Sequence, residues 1–218
     1  MKVETFVSGF LDTNTYLLEE DRHLLIIDLS DHSAVLKKCR NAVTITVLLT
    51  HEHFDHIIGL NRIRDCCASS CVVIAAATCS ERMQDTKANL SAYADVLAEL
   101  GGKQIPKNWS PFSCKATDIT FENQYAFRWM GHGVELFSTP GHSAGSCCIV
   151  VDDLLFVGDT ILENNLMVKF PGSSKKLYRE VTVPLLEEWL RGNRISSVYP
   201  GHGDAMSPEM AVGLVRGV

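Results

Sequence analysis

The hexapeptide His51-Glu52-His53-Phe54-Asp55-His56 decides the fold of this 218-residue chain. It places three imidazoles and an aspartate carboxylate, groups that suit zinc, iron or manganese better than calcium or magnesium, within six positions. The apolar run 45–50 comes directly before it and has the composition of a buried strand. Four such groups crowded at a strand end serve no packing purpose, so the pattern predicts a metal site.

Length and composition restrict the class of protein. The 218 residues suit a single domain spanning 1–218, and 46% hydrophobic and 21% charged residues are typical of a globular chain. A net charge of -6 argues against a nucleic-acid surface, which needs clustered basic residues. No window reaches the ~20 apolar residues of a membrane span, and the first residues do not resemble a signal peptide. We therefore expect a cytoplasmic protein with no membrane partner and with its eight cysteines reduced.

Short strands alternate with helical stretches along the chain, and no linker divides it. Two successive runs of strands with helices outside them predict a sandwich of sheets rather than one doubly wound sheet. The apolar spacing predicts helices over 54–65, 80–100 and 177–190, with Pro184 marking either a kink or the true start of the last one. The segment 80–115 could form a lid or a contact between subunits, so the oligomeric state stays open.

Three later segments supply further metal-binding side chains. Each follows an apolar strand: Thr139-Pro140-Gly141-His142-Ser143-Ala144-Gly145 comes after 134–138, Gly158-Asp159-Thr160 after 154–157, and Pro200-Gly201-His202-Gly203 after 196–199. The glycines beside His142 and His202 permit tight turns close to a site. Four separate strand ends that all carry ligand-type residues predict one shared centre.

In this order the four motifs resemble those of the metallo-β-lactamase-fold hydrolases, and most closely the compact glyoxalase II-like (hydroxyacylglutathione hydrolase-like) branch. The resemblance covers essentially the whole chain, from Asn14-Thr15-Tyr16-Leu17 to His202. It implies an α/β fold class, namely a four-layered αββα sandwich in a single domain.

The resemblance also implies roles for particular residues. His51, His53 and His142 would bind one divalent metal, Asp55, His56 and His202 a second, and Asp159 would bridge the two. Asp28 would orient a ligand imidazole from behind. Leu29-Ser30 stands where the family often has Pro-Gly or Thr-Gly, which leaves the shape of that loop open. His23, His32 and His132 have the pattern of ordinary structural or surface histidines.

Two divalent cations sharing a carboxylate bring the pKa of a shared water to about 7, which supplies a hydroxide nucleophile. Zinc is the expected metal, with iron or manganese possible. Asp55 and Asp159 would act as catalytic residues by orienting this hydroxide, so no serine or cysteine nucleophile is needed. We expect hydrolysis of a small-molecule acyl substrate, with a thioester favoured.

The substrate segment departs from the family. Compact relatives commonly have Gly-Arg-x-Asp-x-Pro-Gly-Gly after the bridging aspartate, whereas residues 166–173 read Leu-Met-Val-Lys-Phe-Pro-Gly-Ser. Because the chain ends 16 residues after His202, we do not expect the basic glutathione-binding domain of full-length glyoxalase II. Lys169 and Tyr178 are the remaining polar candidates at the mouth of the site.

Several alternatives stay open. A persulfide dioxygenase would keep these ligands around one iron and consume oxygen, and a lactonase would use the same hydroxide. Exported β-lactamases, nucleases with an RNA-binding arm and flavodiiron enzymes match the sequence less well. A non-catalytic metal-binding or partner-binding module is a further alternative, and assays of generic esters and thioesters would distinguish it from an enzyme.

Overall fold

The computed structural model describes residues 2–67, 70–163, 170–192 and 194–216. Its strands are Val3–Val7 (β1), Asn14–Glu20 (β2), His23–Ile27 (β3), Thr44–Leu48 (β4), Cys71–Ala76 (β5), Ile119–Phe121 (β6), Gln124–Trp129 (β7), His132–Ser138 (β8), Cys147–Val151 (β9), Leu154–Gly158 (β10) and Ser197–Pro200 (β11). Its α-helices are Ser33–Arg40 (α1), Phe54–Ile57 (α2), Leu60–Cys67 (α3), Ala77–Arg82 (α4), Ala94–Leu100 (α5), Lys175–Leu177 (α6), Val183–Arg191 (α7) and Pro208–Arg216 (α8).

The strands form two mixed sheets. The first sheet has the order β1-β2-β3-β4-β5-β6, antiparallel as far as β3 and parallel from β3 to β6. The second has the order β11-β10-β9-β8-β7, in which only β10 and β11 pair in parallel. Helices cover the outer faces, which gives the four-layered αββα sandwich expected from the sequence.

Strand β9 shows how the layers are built. Because side chains alternate across a strand, Cys147, Ile149 and Val151 enter the core between the sheets, while Cys148 and Val150 face the helices on the other side. All five are buried. A strand buried on both faces reads as a continuous apolar run, and the opposite orientation of the adjacent cysteines follows from the alternation.

The outer helices bury one face each. Helices α1 and α3 contribute Val35, Leu36, Leu60 and Ile63 to the core of the first sheet. Helices α7 and α8 contribute Leu186, Leu190, Ala211 and Val215 to the core against the second sheet. At 20–33 cal/mol per Å² of apolar surface, these two cores supply most of the stabilisation that holds the layers together.

The predicted helix over 80–100 is wrong. The helix α4 ends at Arg82, and a 3₁₀ turn at Ser91–Tyr93 precedes α5. The side chain of Asp85 accepts hydrogen bonds from the backbone N–H groups of Lys87 (2.7 Å) and Ala88 (2.9 Å), which offers the backbone a turn in place of a helix. Leu90 then adopts a left-handed conformation (φ 66°) that no helix continues through.

The other two predicted helices are interrupted. The stretch 54–65 forms α2 and α3 with a break before Leu60, where the N–H of Gly59 donates to the carbonyl of Leu29 rather than to the preceding turn. The stretch 177–190 contains a π-helical turn at Tyr178–Thr182 followed by α7. Pro184 lies in the first turn of α7, so it marks the start of a helix and not a kink.

No described helix combines the length and apolar character needed to cross a bilayer. All eight cysteines are free thiols, as expected from the sequence.

His132 connects the two sheets at one end of the sandwich. Its Nδ1 lies 2.6 Å from Asp152 Oδ2 in the second sheet, and its Nε2 lies 3.0 Å from Glu20 Oε1 in the first. Hydrogen bonds to Glu20 and Asp152 raise the pKa of His132 above its ordinary value. Protonated His132 therefore forms two ion pairs, with Glu20 and with Asp152, and these hold the two sheets together.

His132→Gln should destabilise the protein more at low pH than at high pH. A histidine whose pKa is raised by folding stabilises the fold fully below its unfolded pKa of about 6.5, and this contribution is lost as the pH rises through the folded pKa. Urea unfolding should show a loss of about 1 kcal/mol at pH 5.5 and little at pH 9. His23→Gln is the matched control, since among the described residues the His23 ring hydrogen-bonds the neutral Thr44 hydroxyl and no carboxylate. Equal losses at both pH values would contradict the charged role.

Candidate metal centre

Five strands deliver the predicted site residues to one end of the sandwich. Strands β3 and β4 are parallel, so Asp28 and His51 emerge on the same edge of the first sheet. Strands β8, β10 and β11 share one direction, so the loops carrying His142, Asp159 and His202 emerge together from the second sheet. Carboxyl ends of parallel strands meet at a common edge, which explains why residues so distant in sequence converge.

The structure brings all seven predicted ligands together. His51, His53 and His142 form one group and Asp55, His56 and His202 another, each with candidate ligand atoms within 4.8 Å of one another. His142 Nε2 and His53 Nδ1 are 2.9 Å apart. Asp55 Oδ2 lies 3.4 Å from the Nε2 atoms of both His56 and His202.

Asp159 lies between the two groups. Its Oδ2 is 3.6 Å from His142 Nε2 in the first group and 3.5 Å from His202 Nε2 in the second. Its Oδ1 is 3.4 Å from His56 Nε2. One carboxylate therefore contacts imidazoles of both groups, which is the placement that a bridging ligand requires.

Hydrogen bonds behind the imidazoles decide which ring nitrogen carries the proton. The Leu11 carbonyl can only accept, so His202 Nδ1 donates to it (3.0 Å). His56 Nδ1 likewise donates to Asp28 Oδ2 (2.7 Å). Thr50 Oγ1 donates to Asp28 Oδ2, and it is therefore free to accept from His51 Nδ1. In all three histidines the Nδ1 atom is thus occupied, and the neutral ring would offer its Nε2 lone pair to a cation.

Burial and neighbouring charges shift the pKa values of the histidines in the two ligand groups in different directions. Burial lowers the pKa values of His51, His53 and His142 below the ordinary range, so these rings are neutral. Burial opposes the charged form of His202, but Asp159 and Asp55 raise its pKa to about 10. Burial would raise the pKa of Asp55, yet its histidine neighbours hold it below its usual range. Despite burial, nearby carboxylates likewise raise the pKa of His56 above its ordinary value, so Asp55 and Asp159 favour positive charge at His56 and His202, and a bound cation would take the place of those protons.

Several polar atoms of the cluster fit a metal ion better than any protein partner. Within the described residues, His51 Nε2, His56 Nε2 and Asp159 Oδ1 are buried and have no hydrogen-bond partner. A buried unpaired polar group costs about 1–3 kcal/mol. Neutral imidazoles and ionised carboxylates are the donor set of Zn, Fe or Mn sites, so the residues present suit such ions.

Two glycines let the strand ends approach one another. A Cβ at Gly201 would overlap Asp159 Oδ1 and contact His56, so a side chain there would separate two members of the cluster. Gly158 has φ 50°, and a Cβ there would overlap the Thr50 side chain. Glycine at both positions is therefore a requirement of the site and not of the sheets.

The unusual loop after Asp28 keeps the ligands in place. Asp28 itself adopts φ 54°, a left-handed conformation that costs a non-glycine residue free energy. Its carboxylate accepts from both the N–H and the hydroxyl of Thr50 (2.7 Å each). Leu29 N donates to the His56 carbonyl (2.7 Å), and Ser30 Oγ bonds the Thr15 hydroxyl (2.8 Å). Leu29-Ser30, at the loop whose shape the sequence left open, thus forms a hydrogen-bonded turn beside the ligands.

Thr13 and Asn14 were not recognised as site residues in the sequence. The Thr13 hydroxyl donates to Asp55 Oδ2 (2.7 Å), which fixes one oxygen of that carboxylate. Asn14 Nδ2 donates to the carbonyls of Pro200 (3.0 Å) and Gly203 (2.8 Å), on both sides of His202. The available signal was a pair of polar residues at the start of an otherwise apolar strand.

Glu52 and Arg82 form a second feature that the sequence did not reveal. Glu52 is fully buried between the two ligands His51 and His53. Arg82 Nε donates to its Oε1, and the Ser143 hydroxyl donates to its Oε2 (2.9 Å). Arg82 Nη2 also donates to the Pro171 carbonyl (2.8 Å). One ion pair therefore connects the hexapeptide, the His142 loop and the segment at 170–172.

The two polar candidates for the mouth of the site have different outcomes. The prediction for Tyr178 is wrong, because this residue is only 1% exposed and packs under the turn at Gly141. Burial raises the pKa of its hydroxyl, so it remains neutral. Lys169 lies outside the described residues. The histidines His23, His32 and His132 lie outside both ligand groups, as expected.

A cavity of about 520 Å³ opens above the cluster. His53, Asp55, His142, Asp159 and His202 form its floor. Its described walls are Leu11, Phe54, Leu90, Leu97, Leu100, Gly101, Leu162, Glu163, Phe170 and Gly203. Pockets of this size bind small molecules, and candidate metal-binding residues from both groups line this one.

Known proteins share this sequence pattern and fold. A probable metallo-hydrolase from Streptococcus pyogenes serotype M6 is 25% identical, with 93% of this chain and 84% of that protein covered. A hydroxyacylglutathione hydrolase from Shewanella sp. strain ANA-3 is 23% identical over 82% of this chain, which spans 59% of that enzyme. The crystal structure of the BLEG-1 B3 metallo-beta-lactamase superposes with a TM-score of 0.73 at 22% identity, covering 95% of each chain.

The family model of the metallo-beta-lactamase superfamily matches residues 8–202, an interval that contains strands β2 to β11 and all seven predicted ligands. The chain therefore belongs to the metallo-beta-lactamase superfamily.

Proposed function

We propose that this protein is a dinuclear metal-dependent hydrolase that cleaves an activated acyl bond, with a thioester as the favoured substrate. The observation that carries the proposal is the position of Asp159, whose carboxylate lies within 3.6 Å of imidazoles from both ligand groups beneath an open pocket. The preference for a thioester is supported by the resemblance to a hydroxyacylglutathione hydrolase.

In this proposal His51, His53 and His142 would hold one ion and Asp55, His56 and His202 the other, and Asp159 would serve both. When bound, such a pair of cations activates water and polarises a carbonyl oxygen. Zinc is the proposed metal, and iron or manganese would suit the same donors. The metallo-beta-lactamase superfamily contains hydrolases with this kind of cluster. Its histidine and aspartate donors suit zinc, iron and manganese alike.

The protein side chains have separate tasks. Neighbouring histidines hold the pKa values of Asp55 and Asp159 low against the effect of burial, so both carboxylates are ionised at neutral pH. Thr13 fixes Oδ2 of Asp55, the oxygen that lies 3.4 Å from His56 and His202, and in this proposal the Asp55 carboxylate would orient the attacking water. No serine, threonine or cysteine is among the described pocket residues, consistent with direct attack by water. The eight free thiols support a cytoplasmic setting for the reaction.

Metal quantitation on freshly purified protein, followed by a substrate panel, tests the proposal. We expect two metal ions per chain, turnover of S-lactoylglutathione or simple acyl thioesters, and no oxygen consumption. One iron per chain together with oxygen consumption on a persulfide would identify a dioxygenase instead. Clear turnover of lactones with none of any thioester would replace the thioesterase assignment by a lactonase.

Asp159→Ala should lower the metal content from two ions to one and reduce kcat/KM more than 100-fold, because removing even a residue behind a ligand costs 10–100-fold. Circular dichroism should show an intact fold. Asp31→Ala is the matched control, because among the described residues the Asp31 carboxylate forms an exposed ion pair with Arg62, away from the ligands. This variant should retain both metals. Near-normal activity of Asp159→Ala would rule out the bridging role.

Arg82→Met should destabilise the metal-loaded protein by about 3–5 kcal/mol, because it leaves the Glu52 carboxylate buried without its cation. The double variant Glu52→Gln/Arg82→Met should recover much of this loss, since neither charge remains. Arg62→Met removes an exposed arginine and should cost less than about 1 kcal/mol in the same denaturation experiment. If the single and double variants were equally unstable, packing and not charge would explain the role of Arg82.

A further inference from the structure

One wall of the pocket is an apolar cluster separate from the two main cores. Phe54, Leu90 and Ala94 are buried at its centre, and Phe10, Trp109 and Phe170 pack against them. The Trp109 ring lies 5.3 Å from that of Phe54 and 5.6 Å from that of Phe10. The Trp109 indole N–H donates to the Ser91 carbonyl (3.1 Å), which fixes the ring. The segment 83–113 therefore builds a rigid apolar wall beside the metal centre.

The same apolar wall extends from the metal centre to the rim of the pocket. Phe170 contacts the two ligand rings at its floor, with ring centroids 5.5 Å from His53 and 6.0 Å from His142. Leu97 and Leu100 of α5 line the approach, and Leu100 is 75% exposed. Together with Leu97 and Phe170, Leu100 forms a contiguous apolar surface, and surfaces of this kind bind apolar groups.

Apart from the candidate metal ligands, the described lining of the pocket has no cationic side chain that would recognise an anionic group. Apart from the candidate metal ligands, Glu163 is the only charged residue among the described lining, and it is negative. No lysine or arginine stands among those residues to pair with the carboxylates of glutathione or the phosphates of a nucleotide carrier. Among the described lining residues a bulky anionic thiol thus finds no lysine or arginine to pair with, whereas an uncharged chain finds continuous apolar contact.

We propose that the pocket bordered by Phe54, Leu97, Leu100 and Phe170 binds a hydrophobic acyl group, so that the substrates are medium-chain or aromatic acyl compounds rather than small hydroxyacyl ones. This proposal rests on the proposed function, because the acyl carbonyl must lie over the metal centre. A cavity of about 520 Å³ accommodates several methylenes or an aromatic ring beyond that carbonyl. Each buried methylene should improve binding about fourfold.

Thioesters of N-acetylcysteamine test the preference directly, because they share one small neutral thiol and differ only in the acyl chain. With zinc-loaded protein, kcat/KM should rise about 250-fold from acetyl to hexanoyl, which is about fourfold for each of the added methylenes. S-lactoylglutathione should be a poorer substrate than the hexanoyl compound. Rates that stay flat or fall with chain length would overturn the proposal.

Binding measurements separate this proposal from the assigned reaction. Calorimetric titration of the zinc-loaded protein with acetate, butanoate and hexanoate should give Kd values that tighten about fourfold per methylene. This series needs no turnover. If no thioester is hydrolysed, the proposed function fails, while the Kd series alone still supports or overturns the hydrophobic acyl pocket.

Variants in α5 locate the effect. Leu97→Gln and Leu100→Gln should each reduce the preference for hexanoyl over acetyl substrates about tenfold, and should weaken hexanoate binding by a similar factor. Leu100 is exposed, so its replacement does not depend on repacking a core. Leu177→Gln, at an exposed leucine of α6 outside the pocket, is the matched control. An unchanged preference in both α5 variants would show that the chain binds elsewhere.

Discussion

The carboxylate of Asp28 is the fixed point of this molecule. It accepts hydrogen bonds from the backbone and hydroxyl of Thr50 and from the ring of His56, all at 2.7 Å. Through Thr50 it also determines the tautomer of His51. Charge-assisted bonds of this kind are short and roughly twice as strong as neutral ones, so they hold the hexapeptide against the strain of the left-handed turn at Asp28. The positions of His51 and His56 in the metal centre therefore depend on this loop.

Much of the fold and of the candidate site could be predicted from the sequence. Strands such as β9 and β10 are buried on both faces and appear as apolar runs, and each chemical motif comes directly after such a run. The ligand types therefore identified the strand ends as well as the site. Membership of the superfamily and the four-layered fold followed from the motifs and their order.

What could not be predicted depends on contacts between distant residues. Strands β6 and β7 carry alternating exposed side chains and few strong apolar runs, so they were not recognised. The segment after α4 has helical spacing, but Asp85 and Asn89 satisfy backbone groups locally, and the latter also reaches the Phe112 carbonyl. The pairing of Glu52 with Arg82, and of Thr13 with Asp55, joins residues 30 and 42 positions apart and leaves no local pattern.

The arrangement of ligands over both sheets has a consequence for assembly. The first group takes two histidines from the first sheet and one from the second, and the second group also draws on both. A cation bound there would contact residues from both halves of the polypeptide. By linkage, its binding free energy would therefore stabilise the whole sandwich against unfolding. Neither half alone offers a complete coordination sphere, and a newly made chain gains that cohesion only after its last strand has been placed.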